Sequence, residues 1–258
     1  MASGERVLAN GAEQEAGLRG RLGDSEAGQT RYAVKALWRT VQGEGTWAGR
    51  AAVFIRLAGC NLWSGREADR ARDADRSGAA CPTFCDTDFT REGAVKLSAA
   101  DLAAEAARVG GAVRFCVLTG GEPLLQANAA LVGALRAEGF FVAVETNGTR
   151  SLEGAFGAEA DHPDWVVCSP KLPEASLALE ACDELKLVVP DYRPEAYAAF
   201  AERVREHGGP QTDRRRALWL QPEDGPRLAE ATRLALDLVF EDPRWRVSVQ
   251  THKALGVD

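Results

Sequence analysis

Three cysteines stand apart in this chain: Cys60, Cys81 and Cys85, in the run GCNLWSGREADRARDADRSGAACPTFCDTDF. Three thiolates can hold a metal centre while leaving one coordination position open, as a catalytic cluster requires. A closed structural site more often shows four protein ligands. A [4Fe–4S] cluster with one iron free of cysteine can take a small molecule that chelates through an amine and a carboxylate. A zinc site built from the same thiols and His252 is an open alternative. Directly after Cys85 come Asp86, Thr87 and Asp88, hard oxygen donors suited to a second, different metal, although such a run also makes an ordinary solvated turn. Cys116, Cys168 and Cys182 carry no such pattern and are read as buried small hydrophobes.

The elements that must position these groups are legible as apolar runs alternating with helical patterns. A strand-like stretch YAVKALWRTV leads into Gln42-Gly43-Glu44-Gly45. It is followed by AAVFIRL (51–57) and a polar, charged loop through 61–80. Further strands are predicted at Val113–Leu118, Phe141–Glu145, Trp165–Cys168, Leu185–Val189, Leu218–Leu220 and Arg246–Gln250. Helices are predicted at Ser98–Val109, Leu124–Glu138, Pro194–Glu206 and Pro226–Phe240. Ser98 suits an N-cap, and Pro194 and Pro226 suit a first turn. Continuous apolar strands separated by helices imply a parallel sheet covered on its outer face, and about six such units make an incomplete β/α barrel.

Small polar residues fall just after the strands, in Thr119-Gly120-Gly121-Glu122-Pro123, Thr146-Asn147-Gly148-Thr149, Ser169-Pro170-Lys171 and Gln221-Pro222-Glu223. In parallel α/β folds that rim carries the active site. Paired glycines let backbone approach a ligand closely. Arg56, inside the apolar strand FIRLAG, calls for a buried anion, with a surface ion pair as the plain alternative.

The net charge of -7 gives no basic face for nucleic acid, and Arg214-Arg215-Arg216 reads as a solvated turn. No apolar run approaches the ~20 residues that span a bilayer. Without a signal-like N-terminus the chain reads as cytoplasmic, where six cysteines suit metal binding or burial better than disulfides. Residues 1–30, rich in Gly, Ala, Glu and Ser, read as a mobile extension, and 31–258 as one catalytic domain.

The cysteine loop after an apolar strand, followed by LTGGEPLLQ, resembles the radical S-adenosylmethionine (SAM) superfamily. The ordered set VQGEGTWAGRAAVFIRLAGCNLW, CDTDF, LTGGEP, VAVETNGT, CSPK, ELKLVV, LQPED and VSVQTHKALGV resembles the 7-carboxy-7-deazaguanine synthase family from about Tyr32 onward. The resemblance implies an α/β, partial parallel barrel of the radical SAM type. It further implies an α/β radical enzyme that converts 6-carboxy-5,6,7,8-tetrahydropterin to 7-carboxy-7-deazaguanine with loss of ammonia, on the route to queuosine and related 7-deazapurines. Cys60, Cys81 and Cys85 would ligate the [4Fe–4S] cluster. Gly121, Ser169, Pro170, Lys171, Gln221, Pro222, Glu223 and Asp224 would contact SAM. Val41, Gln42, Gly43, Glu44, Arg56, Thr119, His252 and Asp258 would contact the pterin, with Arg56 at its carboxylate. Thr87 would bind Mg2+, supported by Asp86 and Asp88. The implied partners are an external electron donor of flavodoxin or ferredoxin type and a second copy in a homodimer. Two departures stand out: the first cysteine gap is twenty residues (61–80), and the second, Pro82-Thr83-Phe84, is three residues where the family pattern has two. Loops of different length can still bring thiolates together, since closure cost grows slowly with length. A radical activase acting on a partner protein, and a zinc or electron-transfer module, are the competing functions.

Overall fold

The computed structural model describes residues 30–207 and 215–257. Residues 1–29 of the proposed N-terminal extension (1–30), Arg214 and Asp258 lie outside the described residues. Strands run over Arg31–Val41 (β1), Ala51–Leu57 (β2), Val95–Ser98 (β3), Phe115–Gly120 (β4), Phe141–Thr146 (β5), Trp165–Cys168 (β6), Glu184–Val189 (β7), Glu206–His207 (β8), Arg215–Pro222 (β9) and Trp245–Val247 (β10). Helices run over Arg70–Ser77 (α1), Ala99–Gly110 (α2), Ala129–Ala137 (α3), Leu152–Phe156 (α4), Ala198–Ala201 (α5), Leu228–Glu241 (α6) and Thr251–Leu255 (α7). The strands pair in the order β10-β9-β7-β6-β5-β4-β2-β1-β3, with β8 attached to β9. From β2 to β10 neighbours are parallel; β1 runs antiparallel to both β2 and β3. This is the partial β/α barrel that the alternation of apolar runs and helices predicts. No helix of the described residues is long and apolar enough to cross a membrane.

Period-two alternation divides each parallel strand between two apolar layers. Cys116 and Leu118 of β4, Val142 and Val144 of β5, Leu185 and Leu187 of β7 and Leu218 and Leu220 of β9 face the helices in the main core. Phe115, Val117, Ala143, Trp165, Val167 and Ala217 form a second cluster on the concave side. The same inward parity continues upward to Arg56, Thr119, Glu145, Lys186 and Gln221. The residues inside the barrel therefore change from apolar to polar toward the strands' C-terminal ends. Trp47, in the 3-10 turn after β1, fills the lower interior, with ring centroids 5.2 Å from Trp165 and 5.7 Å from both Phe115 and Phe141. The Arg50 guanidinium covers the Phe115 ring at 4.3 Å. Each such contact adds to burial only modestly, but together they close the narrow end.

Four expectations change. The helix predicted over Leu124–Glu138 is a 3-10 turn at Pro123–Leu125 and then α3, because Asn128 caps a new start by accepting from the Leu131 N–H at 3.2 Å. The helix predicted from Pro194 reduces to a 3-10 turn at Pro194–Tyr197 and the four-residue α5. Within the loop predicted at 61–80 lies α1, RARDADRS, which has no apolar face to betray it. Its buried anchor is a carboxylate: Asp73 accepts the Ser64 N–H at 2.8 Å and pairs with Arg72 at 2.9 Å. Arg215 and Arg216 belong to β9 and are not a turn, with Arg216 paired to Glu202 at 3.1 Å.

Candidate active site

A cavity of about 530 Å3 occupies the C-terminal end of the barrel. Cys60 (after β2), Cys81 and Cys85 line one side of it, beside Thr87, Gly121, Ser169 and Lys171. Val41, Gln42, Gly43, Glu44, Arg56 and Thr119 line the floor and far wall, and Gln221, Pro222, Glu223, Asp224 and His252 line the remaining rim. The structure thus gathers nearly every residue singled out in the sequence around one volume. Pro170 is buried behind the lining. Asp88 turns away to Lys35 at 2.9 Å and Thr90 at 2.8 Å, so it does not support a metal at Thr87. Asp86 stays on the lining, exposed, 3.6 Å from Lys253.

Among the described residues no three His, Cys, Asp or Glu side chains converge on a single point. A [4Fe–4S] cube does not need such convergence, since its cysteines bind separate irons at separate corners. The thiols are near enough to raise one another's pKa. Burial and these neighbours push Cys81 up to about 12; burial also raises Cys60 and Cys85. Lys171 opposes the shift at Cys81 and Cys85. Three soft donors crowded in a partly dry pocket, whose lining holds no fourth cysteine, fit a cluster with an open iron once binding displaces their protons. Cys116, Cys168 and Cys182 are buried in the core, as expected.

The Gly-Gly turn has a more specific reason than ligand approach. Gly120 has φ 149°, and a Cβ there would fall 2.1 Å from the Leu57 carbonyl oxygen. At Gly121 it would fall 2.4 Å from the Gly59 carbonyl oxygen and 2.6 Å from the Cys60 Cβ. Glycine is required because this turn packs directly on the segment that presents the first thiol. Glu122, 1% exposed, then ties the turn to the next strand, accepting from the Leu124 N–H (2.9 Å), the Thr146 hydroxyl (2.8 Å) and the Asn147 N–H (2.7 Å).

On the floor, Lys186 donates to Glu44 and lies 3.5 Å from Glu145. Glu44 also accepts from Gln221 at 2.9 Å and Gln250 at 2.7 Å, while Gln42 donates to Glu145 at 3.0 Å. Although burial opposes ionisation, Lys186 and the two amides hold the Glu44 carboxyl down to about 2. Glu44 is therefore held in place from three sides while it still lines the cavity. Arg56 lies over the Trp38 ring at 4.9 Å, and Trp38 stacks on Phe54 at 5.3 Å, so a planar cation and a planar aromatic wall meet at one edge of the cavity. The C-terminal segment closes the rim: the Thr251 N–H donates to the Gly43 carbonyl at 2.9 Å, and a Cβ on Gly43 would fall 1.9 Å from the His252 Nδ1.

Sequence reasoning missed Glu145, Lys186, Tyr192 and Arg70. The first two carry a signal, since both have inward parity on strands whose lower inward residues are apolar. Tyr192 and Arg70 carry none, because their contacts with the cysteine loop are to backbone groups, which leave no mark on residue type.

The family model of the radical SAM superfamily matches residues 81–215, which include Cys81 and Cys85. The chain is 47% identical over 235 residues to the 7-carboxy-7-deazaguanine synthase of Bordetella pertussis, covering 88% of this chain and 99% of that one. It is 47% identical over 236 residues to the synthase of Bradyrhizobium diazoefficiens, with the same coverage. The crystal structure of QueE from Escherichia coli superposes with a TM-score of 0.59 at 28% identity, covering 85% of this chain and 94% of that one. A partial barrel with three thiols at its C-terminal rim, together with these relatives over nearly their whole length, places the chain in the 7-carboxy-7-deazaguanine synthase family of the radical SAM superfamily.

Proposed function

We propose that the chain converts 6-carboxy-5,6,7,8-tetrahydropterin into 7-carboxy-7-deazaguanine with loss of ammonia, as a carbon–nitrogen lyase of queuosine and 7-deazapurine biosynthesis. The observation that carries this reading is that the three thiols share one cavity with the Gln42–Glu44 loop, Arg56 and His252. When bound at Cys60, Cys81 and Cys85, a [4Fe–4S] cluster with SAM supplies the one-electron reduction that starts hydrogen abstraction from the substrate.

The chain's own residues then have separable tasks. Gly121, Ser169, Lys171 and the 221–224 segment form the rim that holds SAM. Lys171 donates to the Ser169 carbonyl at 2.9 Å and hydroxyl at 2.6 Å, which fixes the loop after β6. Arg56 offers paired donors to the substrate carboxylate, and Trp38 and Phe54 give the flat ring a face. Gln42 and Glu145 present polar atoms at its other edge. Glu44, kept ionised by Lys186, fixes the height of the floor. Thr87 is the protein donor for Mg2+, and substrate oxygens and water would complete its oxygen shell. His252 closes the rim over the substrate and helps exclude water. A flavodoxin- or ferredoxin-type donor, a homodimer and a cytoplasmic setting belong to the same reading.

The test is anaerobic iron–sulfur reconstitution, then incubation with a reductant, SAM, Mg2+ and the tetrahydropterin. Ring-contracted product by mass spectrometry with equimolar ammonia is expected. Cluster assembly and SAM cleavage without that product would overturn the substrate assignment, and a glycyl radical raised on a partner protein would favour an activase.

A further inference from the structure

The twenty residues between Cys60 and Cys81 do more than bridge a gap. Helix α1 begins at Arg70, whose guanidinium donates to the Pro82 carbonyl at 2.5 Å and to the Cys85 carbonyl at 3.1 Å. Its Nε donates to Glu67 at 2.7 Å, and its face lies over the Trp63 ring at 4.3 Å, with Trp63 set edge-on to Phe89 at 5.4 Å. The side chain is thereby fixed from three directions. From the opposite wall, the Tyr192 hydroxyl accepts the Cys81 N–H at 3.2 Å and donates to the Lys171 carbonyl at 3.3 Å. The loop between them is a 3-10 turn at Cys81–Thr83, closed by the Cys85 N–H on the Cys81 carbonyl at 2.9 Å.

We propose that Arg70 and Tyr192 are positioning residues that clamp the Cys81–Cys85 loop, and that the inserted segment exists in part to supply Arg70. The inference rests on the reading of Cys60, Cys81 and Cys85 as cluster ligands. A gap of three residues has more conformations than a gap of two, so two thiolates reach their iron corners less reproducibly unless the backbone is held from outside. The three anchored atoms (the Cys81 amide, the Pro82 carbonyl and the Cys85 carbonyl) span the loop from its first ligand to its last. Arg70 uses its planar fork on two carbonyls at once, which a lysine cannot reproduce. The guanidinium also places a fixed positive charge beside the loop that carries Cys85. Positive charge near a cluster favours its reduced form.

The experiment compares the parent chain with Arg70→Ala, Arg70→Lys and Tyr192→Phe, all as the full chain. Three readouts are taken: iron and sulfide per chain after reconstitution, the rate of iron loss to a chelator, and alkylation of each cysteine in the cluster-free chain by mass spectrometry. Arg70→Ala is expected to lose iron roughly tenfold faster, the scale of one charge-assisted hydrogen bond. It should also expose Cys81 and Cys85 to alkylation, while Cys116 and Cys168 stay protected. Arg70→Lys should rescue little, and Tyr192→Phe, which removes one oxygen, should show a smaller shift of the same kind and serves if Arg70→Ala does not fold. Parent-like iron retention and thiol reactivity in both Arg70→Ala and Tyr192→Phe would overturn the clamp. If the parent itself assembles no cluster, the ligand assignment fails instead, so the two failures are distinguishable.

Discussion

Lys186→Met tests the electrostatic floor of the cavity. The Lys186 side chain is 5% exposed and faces Glu44 and, at 3.5 Å, Glu145. Removing it strands buried carboxylates, a change that typically costs ~3–5 kcal/mol. Against the pull of burial, Lys186 and then Gln250 and Gln221 hold the Glu44 carboxyl down to about 2, which points the same way, with ~3 kcal/mol as the lower bound. At ~2–4 °C per kcal/mol for a chain of this size, the variant should unfold ~6–12 °C lower at neutral pH. The sign with pH follows from the depressed value. Glu44's contribution is fully present above about 4.5 and is lost as pH falls toward about 2. In Lys186→Met, burial is opposed only by the Gln221 and Gln250 amides and the carboxyl protonates at higher pH, so the gap between parent and variant should narrow between about pH 7 and about pH 4. The assay is circular-dichroism thermal unfolding of the cluster-free chain, with Glu44→Gln and the double variant completing a cycle. The double variant should recover much of the loss, because no charge is then stranded. Unfolding within about 1 °C of the parent, or a gap that widens on acidification, would refute the reasoning.

Glu122→Gln should destabilise the cluster-free chain by ~1–3 kcal/mol, since an amide nitrogen would meet a backbone N–H where a carboxylate oxygen now accepts; urea unfolding measures it. Gly121→Ala would set a Cβ 2.4 Å from the Gly59 carbonyl and displace Cys60, so iron bound after reconstitution should drop sharply while the barrel's circular dichroism persists. Gly43→Ala drives His252 from its place without touching the thiols. It should raise KM for the tetrahydropterin roughly tenfold, equivalent to about 1.4 kcal/mol of binding, and leave cluster content unchanged.

Much of this was legible in the sequence because two local signals are strong. Continuous apolar strands such as WVVC and FCVLTG can only be buried on both faces, so the parallel sheet and its order of elements follow. Motifs placed just after those strands had to share a rim, and the cavity collects them. Features set by non-local backbone contacts stayed hidden. Helix α1 has no apolar stripe and is held by Asp73, so hydropathy could not separate it from a loop. The break before α3 depends on a cap by Asn128, which also accepts the Tyr32 hydroxyl at 2.6 Å from across the sheet. The motif places Glu44 at the mouth of the barrel, but its three protein donors come from distant segments and leave no local trace in the sequence.

The most direct measurement is the metal content and electron paramagnetic resonance spectrum of the anaerobically reconstituted, reduced chain, before and after SAM is added. The account predicts about four iron and four sulfide per chain, and a spectrum that changes when SAM occupies the open iron. It also predicts that Cys60→Ser, Cys81→Ser and Cys85→Ser each fail to give that spectrum. A bound zinc in place of iron, or a cluster whose spectrum is indifferent to SAM, would contradict it.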